Sequence, residues 1–253
     1  MSARQSGAAP ARASSPGDAR PRPLAVAHRG DPYRFRENTL PSVAAALAAG
    51  ADAVEVDVQL TRDGVPVLLH DPTLKRLWGL DRPVRALTAE RLAAQRFEGG
   101  RRVPALAEAL GLLAEHPAAR LLIDLDEPTP AAAAWRAVTE AGAEERALFC
   151  GPASAMFAVR ELAPEVPLAL TWKQPGLPVA ALLADLRPRY LNPPFGLVDR
   201  ALVERAADAG LAVSTWTVDR RSTMRRMSAL GVASLTSNRI GLLRSVLGPG
   251  GGR

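Results

Sequence analysis

Hydrophobic positions along this chain fall into two alternating kinds of segment. Short runs rich in Val, Ile and Leu end in polar residues or in Gly and Pro, and Ala/Leu-rich stretches with helical spacing follow them. The runs predict strands at 24–27, 53–58, 65–70, 121–125, 147–150, 167–172, 189–192, 212–217 and 233–236. The helical spacing predicts helices over 39–49, 88–95, 104–115, 130–141, 153–162, 178–186, 199–209, 221–230 and 240–247. Gly50, Gly210 and Gly231 stand where three of these helices should stop. Strands such as LLIDL are apolar on both faces, as in a parallel sheet covered by helices. Repeated βα units in 253 residues, with no linker after residue 23, predict one closed TIM-type (β/α)8 barrel; an open doubly wound sheet is the alternative.

One connection breaks the alternation. The stretch EVDVQLTRDGVPVLLHD, residues 55–71, leaves no room for a helix, and its Asp63-Gly64 pair between two alternating runs predicts a hairpin. Centred between those two residues, the hairpin pairs position i with 127 minus i and sets Asp57 opposite His70. Glu55 shares a face with Asp57 by the period of two.

Composition narrows the class. The hydrophobic fraction is 47% and no apolar run approaches the ~18 residues of a membrane span, so no transmembrane segment is expected. Residues 1–23 are rich in Ala, Arg, Ser and Pro without the apolar centre of a secretory signal and are read as a disordered tail; 248–253 are read as a flexible C-terminal tail. The N-terminal tail carries four arginines against one aspartate, which leaves only +3 of the net +6 for the other 230 residues and argues against a nucleic-acid partner. The single cysteine, Cys150, cannot form an internal disulfide; it is read as a small buried residue, and a cytoplasmic location is the expectation.

Against that background the polar residues at predicted strand ends stand out. His28 and Arg29 follow LAVA where the first barrel loop should begin, Asp124 ends a strand, and Asp126 lies two residues on. Glu55, Asp57 and Asp124 suit a hard divalent cation, Arg29 suits a phosphoryl oxygen, and His28 and His70 suit two proton transfers near neutral pH. Together they suit phosphodiester hydrolysis. His116, beside Pro117 at a helix end, is read as solvated.

HRG at 28–30, ENTL at 37–40, GADAVEVDVQLTRDGVPVLLHD at 50–71, the strand containing Asp124 and GLAVSTWTV at 210–218 resemble the glycerophosphodiester phosphodiesterase family in order and spacing. The resemblance covers residues 24–247 and implies a TIM-type barrel with Mg²⁺ or Ca²⁺ that cleaves a small glycerophosphodiester to glycerol 3-phosphate and an alcohol. It implies His28 and His70 as acid and base, Arg29 on the phosphate, and Glu55 and Asp57 on the metal. Glu37 and Asn38 of ENTL become orienting groups, and Trp216 either lines the glycerol pocket or packs the barrel mouth.

The chain departs from the family at three places. It reads Asp124-Leu125-Asp126 where Glu-x-Lys is usual, Arg36 replaces a proline, and Asn238 replaces an aspartate. An anion at 126 removes a positive charge beside the phosphate, and Lys173, after LALTW, is the candidate to replace it. Alternatives are a lysophospholipase D, a phosphoinositide-type phosphodiesterase, and a barrel that binds phosphorylated ligands without turnover.

Overall fold

The computed structural model describes residues 21–248 except residue 96. Most of the two expected tails lies outside the described residues; Arg22, inside them, makes two 2.7 Å hydrogen bonds to Asp52.

Among the described residues, eight parallel strands close into a barrel: β1 (Leu24–His28), β2 (Ala53–Leu60), β4 (Arg120–Asp124), β5 (Ala147–Gly151), β6 (Leu168–Thr171), β7 (Tyr190–Asn192), β8 (Ala212–Thr215) and β9 (Ser234–Ser237). The ring runs β1-β9-β8-β7-β6-β5-β4-β2 and closes through β1 against β2. A short β3 (Pro66–Leu68) pairs antiparallel with the C-terminal end of β2, residues 58–60. The helices are α1 (Leu40–Ala48), α2 (Lys75–Trp78), α3 (Ala89–Ala94), α4 (Leu106–Leu112), α5 (Ala131–Glu140), α6 (Ala153–Leu162), α7 (Ala180–Leu186), α8 (Arg200–Asp208), α9 (Arg221–Leu230) and α10 (Ile240–Leu247). No helix among the described residues is long and apolar enough to cross a membrane.

Strand alternation decides what enters the barrel. Val54, Val56 and Val58 of β2 join the outer core against the helices, with Leu121 and Ile123 of β4 and Phe149 of β5. The residues between them point inward, where Val26, Ala53, Leu122 and Leu148 fill the lower interior. Glu55 and Asp57 stand on the same inward row above Ala53, and Asp124 stands above Leu122. Strand register aligns them laterally, with His28 beside Glu55, and Asp57 beside Asp124, which in turn pairs with Cys150.

The segment from β3 to residue 104 forms a second small core of Val67, Leu69, Leu74, Trp78, Val84, Leu87, Leu92 and Val103. Trp78 packs on Phe97 at 4.7 Å between ring centroids. This insertion, with its short α2, precedes α4, the helix between β2 and β4 whose Leu106, Ala109 and Leu110 pack in the outer core; the apolar spacing did not announce α2 because only four residues form it.

The expected hairpin register is corrected by one residue. Val58 pairs with Leu68 and Leu60 with Pro66, so Asp57 faces Leu69, whose N–H donates to the Asp57 carbonyl at 3.0 Å, rather than His70. Thr61 is the reason. Its backbone N–H donates to the Val65 carbonyl and its hydroxyl accepts from the Val65 N–H, both at 3.0 Å. That closes a five-residue loop where Asp-Gly alone suggests a two-residue turn. His70 therefore lies just past β3, in the loop at the barrel mouth.

Candidate active site

The first loop builds one wall of the site. Arg29, at φ 59°, and Asn38, at φ 54°, both adopt left-handed backbone, a sparsely populated conformation for non-glycine residues. The Asn38 N–H donates to the Arg29 carbonyl at 3.0 Å and locks the loop. Gly30 between them has φ 89°, and a Cβ there would lie 2.3 Å from the Ser42 hydroxyl, so only glycine fits.

Six side chains then converge. His28, Arg29, Glu55, Asp57, His70 and Asp124 line one cavity of about 460 Å³ at the carboxyl ends of the strands, with Lys173 and Trp216 on its rim. Larger cavities of about 580 Å³ and 710 Å³ exist elsewhere, but neither brings an imidazole together with a carboxylate cluster. Chemistry, not size, distinguishes the mouth.

Glu55, Asp57 and Asp124 each offer an oxygen, and these three oxygens lie within 4.8 Å of one another. Burial pushes the Glu55 carboxyl well above the usual carboxylate range, and the neighbouring Asp57 and Asp124 push it further. Burial, then Asp57 and Asp126, raise Asp124 to about 7. The all-oxygen donor set fits a hard divalent cation, whose charge would relieve the crowding of anions. Arg29 Nε approaches Asp57 to 3.0 Å without the alignment of a hydrogen bond, and its Nη1 donates to Glu37 at 2.9 Å.

Glu37 and Asn38 sit behind this group rather than in the cavity. Asn38 is fully buried; its Nδ2 donates to Asp57 at 2.6 Å and its Oδ1 accepts from the Asp57 N–H at 3.2 Å. Burial opposes the charge on Glu37, but bonds from Arg76 and Arg29 hold its carboxyl below the ordinary range.

The imidazoles have different surroundings. His28 is largely buried; burial and the adjacent Arg29 lower its pKa, and Nδ1 contacts Asn238 Oδ1 at 2.7 Å. His70 is 40% exposed and its Nδ1 lies 2.7 Å from Asp71 Oδ1. Arg76 in turn grips Asp71, with Nε 2.6 Å from Oδ2, and its Nη2 reaches Glu37 at 2.8 Å. Asp71 and Arg76 escaped the sequence reading. The only signal was an aspartate directly after His70 with an arginine five residues on.

Cys150 is buried, as expected, but it also belongs to the site, and Arg36 braces the first loop. Cys150 lines the cavity beside Asp124; burial first, and then Asp124 and Glu55, raise its thiol well above the ordinary range. Arg36 stacks over the Trp78 ring at 5.0 Å and donates to the Leu77 carbonyl, fastening the first loop to the insertion. Trp216 lines the cavity while its Nε1 donates to the Asn192 carbonyl at 3.0 Å.

The model of the glycerophosphoryl diester phosphodiesterase family matches residues 28–242. The chain belongs to that family. A similar family member is the glycerophosphodiester phosphodiesterase of Caldanaerobacter subterraneus subsp. tengcongensis, 29% identical over 232 residues, spanning 85% of this chain and 93% of that protein. Among solved structures, a putative glycerophosphoryl diester phosphodiesterase from Silicibacter pomeroyi is 28% identical with a TM-score of 0.80, covering 90% of this chain and 94% of its own. A phosphodiesterase from Oleispira antarctica, solved in complex with the product sn-glycerol-3-phosphate, has the same fold at 24% identity and a TM-score of 0.81, over 89% of this chain and 96% of that one.

Proposed function

We propose that this chain hydrolyses small glycerophosphodiesters to sn-glycerol 3-phosphate and an alcohol, using a divalent cation and the two imidazoles of His28 and His70. The observation that carries the reading is the meeting of both histidines, Arg29 and three carboxylates in one cavity of a barrel of this family.

Glu55, Asp57 and Asp124 would hold the ion, Mg²⁺ or Ca²⁺. When bound it supplies positive charge to a phosphoryl oxygen. Arg29 is held by Glu37 with its guanidinium toward the same space and pairs with a second oxygen. His28, kept neutral by burial, accepts the proton of the substrate's 2-hydroxyl as that oxygen attacks phosphorus. The bond from phosphorus to the alcohol breaks, and His70, its ring oriented by the Asp71 carboxylate at Nδ1, donates a proton to the departing oxygen. Water then opens the cyclic phosphate with the two roles reversed.

Release of sn-glycerol 3-phosphate from glycerophosphocholine, with and without EDTA, tests the reading. The expected result is turnover that EDTA abolishes and added Mg²⁺ or Ca²⁺ restores. Turnover of lysolipids alone would reassign the chain as a lysophospholipase D, and binding without cleavage of any diester would leave a non-catalytic barrel.

A further inference from the structure

Across the mouth, one hydrogen-bonded chain links residues at or just beyond the carboxyl ends of three neighbouring strands, β8, β9 and β1. Asp219 follows β8, Asn238 follows β9 and His28 closes β1. Asp219 Oδ2 accepts from Asn238 Nδ2 at 2.8 Å, while its Oδ1 accepts from the Asn238 backbone N–H and the Ser237 hydroxyl, each at 2.9 Å. Asn238 Oδ1 in turn lies 2.7 Å from His28 Nδ1.

Donor and acceptor chemistry gives this chain a direction. A carboxylate offers only acceptors, so Asp219 must meet the NH₂ end of the Asn238 carboxamide. The oxygen end is then forced toward His28, and because that oxygen cannot donate, His28 Nδ1 must carry the proton. In the neutral ring the lone pair is left on Nε2, the atom that faces Glu55 at 4.0 Å within the cavity. With the carboxamide reversed, the proton would sit on Nε2 and the ring would have no basic nitrogen in the site.

We infer that Asp219 is a positioning residue which, through Asn238, fixes His28 in the tautomer that bears its lone pair on Nε2. The carboxylate that orients the base stands one residue removed from it, with a carboxamide as the link. The inference rests on the proposed role of His28 as proton acceptor, but the tautomer itself can be read without any substrate.

The test is long-range ¹H–¹⁵N correlation of ¹⁵N-histidine-labelled protein, alongside steady-state kinetics with glycerophosphocholine. Wild-type protein should show His28 protonated on Nδ1. Asp219→Asn frees the Asn238 carboxamide to turn, so the proton should move at least partly to Nε2 and kcat should fall about 10- to 100-fold with KM within about twofold. The double variant Asp219→Asn/Asn238→Asp reverses the order of carboxylate and carboxamide while keeping an acceptor on His28 Nδ1; it should restore the Nδ1–H signal and most of kcat. Wild-type His28 protonated on Nε2, or an unchanged tautomer and kcat in Asp219→Asn, overturns the inference. Should Asp219→Asn fail to fold, the wild-type spectrum and the double variant decide, and a double variant without the Nδ1–H signal counts against it. Wild-type protein with no diesterase activity but the expected tautomer would overturn the proposed function and leave the hydrogen-bonded chain standing.

Discussion

Arg76 clamps Asp71, with its Nε 2.6 Å from Asp71 Oδ2 and its Nη2 3.0 Å from Oδ1. Because Asp71 also meets His70 Nδ1, and Arg76 also meets Glu37 behind Arg29, one guanidinium on α2 couples the two halves of the site. Arg76→Ala is expected to lower kcat/KM roughly tenfold or more while the barrel still folds. Arg76→Lys should recover little of it, since one ammonium cannot reproduce the forked contact with Asp71 and Glu37. Near-normal kcat/KM in Arg76→Ala would show that the clamp is not used in turnover.

The same clamp has a pH signature. The bond from Arg76, aided by His70, holds the Asp71 carboxyl down to about 2. Its folded value is below that of an unfolded chain, about 3.9, so the stabilisation is complete above that value and is lost as pH falls through about 2. A carboxyl ¹³C titration should therefore find Asp71 still ionised at pH 3. In Arg76→Ala its midpoint should climb toward about 4, and an unshifted midpoint would remove Arg76 as the cause.

Much of this site is legible in the sequence, and the reason is the strictness of strand alternation. In AVEVDVQL every second residue faces the barrel, so two acids in an otherwise apolar strand announce a polar interior end. His28, at the end of a short apolar run, is legible for the same reason. What stayed hidden depends on loops. The Thr61 hydroxyl shifts the hairpin by one residue, and a four-residue helix carries Arg76. Asp219 meets Asn238 only because β8 and β9 are neighbours, a juxtaposition that no local pattern encodes.

Replacement of the paired imidazoles tests the division of labour. His28→Ala and His70→Ala should each lose at least about 10²-fold in kcat, the usual scale of a positioned proton-transfer group. A near-normal rate in either variant would take that histidine out of the reaction.

The carboxylate cluster predicts that the effect of removing one carboxylate depends on whether metal is present. For a cation at a hundredfold excess over its Kd, linkage gives about 2.7 kcal/mol, or roughly 5–10 °C in Tm for a domain of this size. Glu55→Gln should abolish most of that rise. In chelator-treated protein the same change should cost little stability, because burial already holds Glu55 toward its neutral form, whose shape glutamine keeps. Full cation-induced stabilisation of Glu55→Gln would mean the ion binds elsewhere.

Asp126 poses the last question, because it puts a negative charge on the cavity wall where the resemblance leads one to expect lysine. Lys173 lines the same cavity from the loop after β6, its Nζ 5.6 Å from the centre of the Trp216 ring. The ring face favours a cation, and the long stem lets the ammonium swing toward a bound phosphate. If Lys173 supplies the displaced charge, Lys173→Ala raises KM about tenfold and changes kcat by less than about threefold, the pattern of lost uniform binding. Adding Asp126→Lys to that variant moves the cation back across the cavity and should return KM toward its starting value. An unchanged KM in Lys173→Ala removes the assignment, and a raised KM that Asp126→Lys fails to lower would mean that Lys173 acts through its contact with Trp216 rather than through its charge.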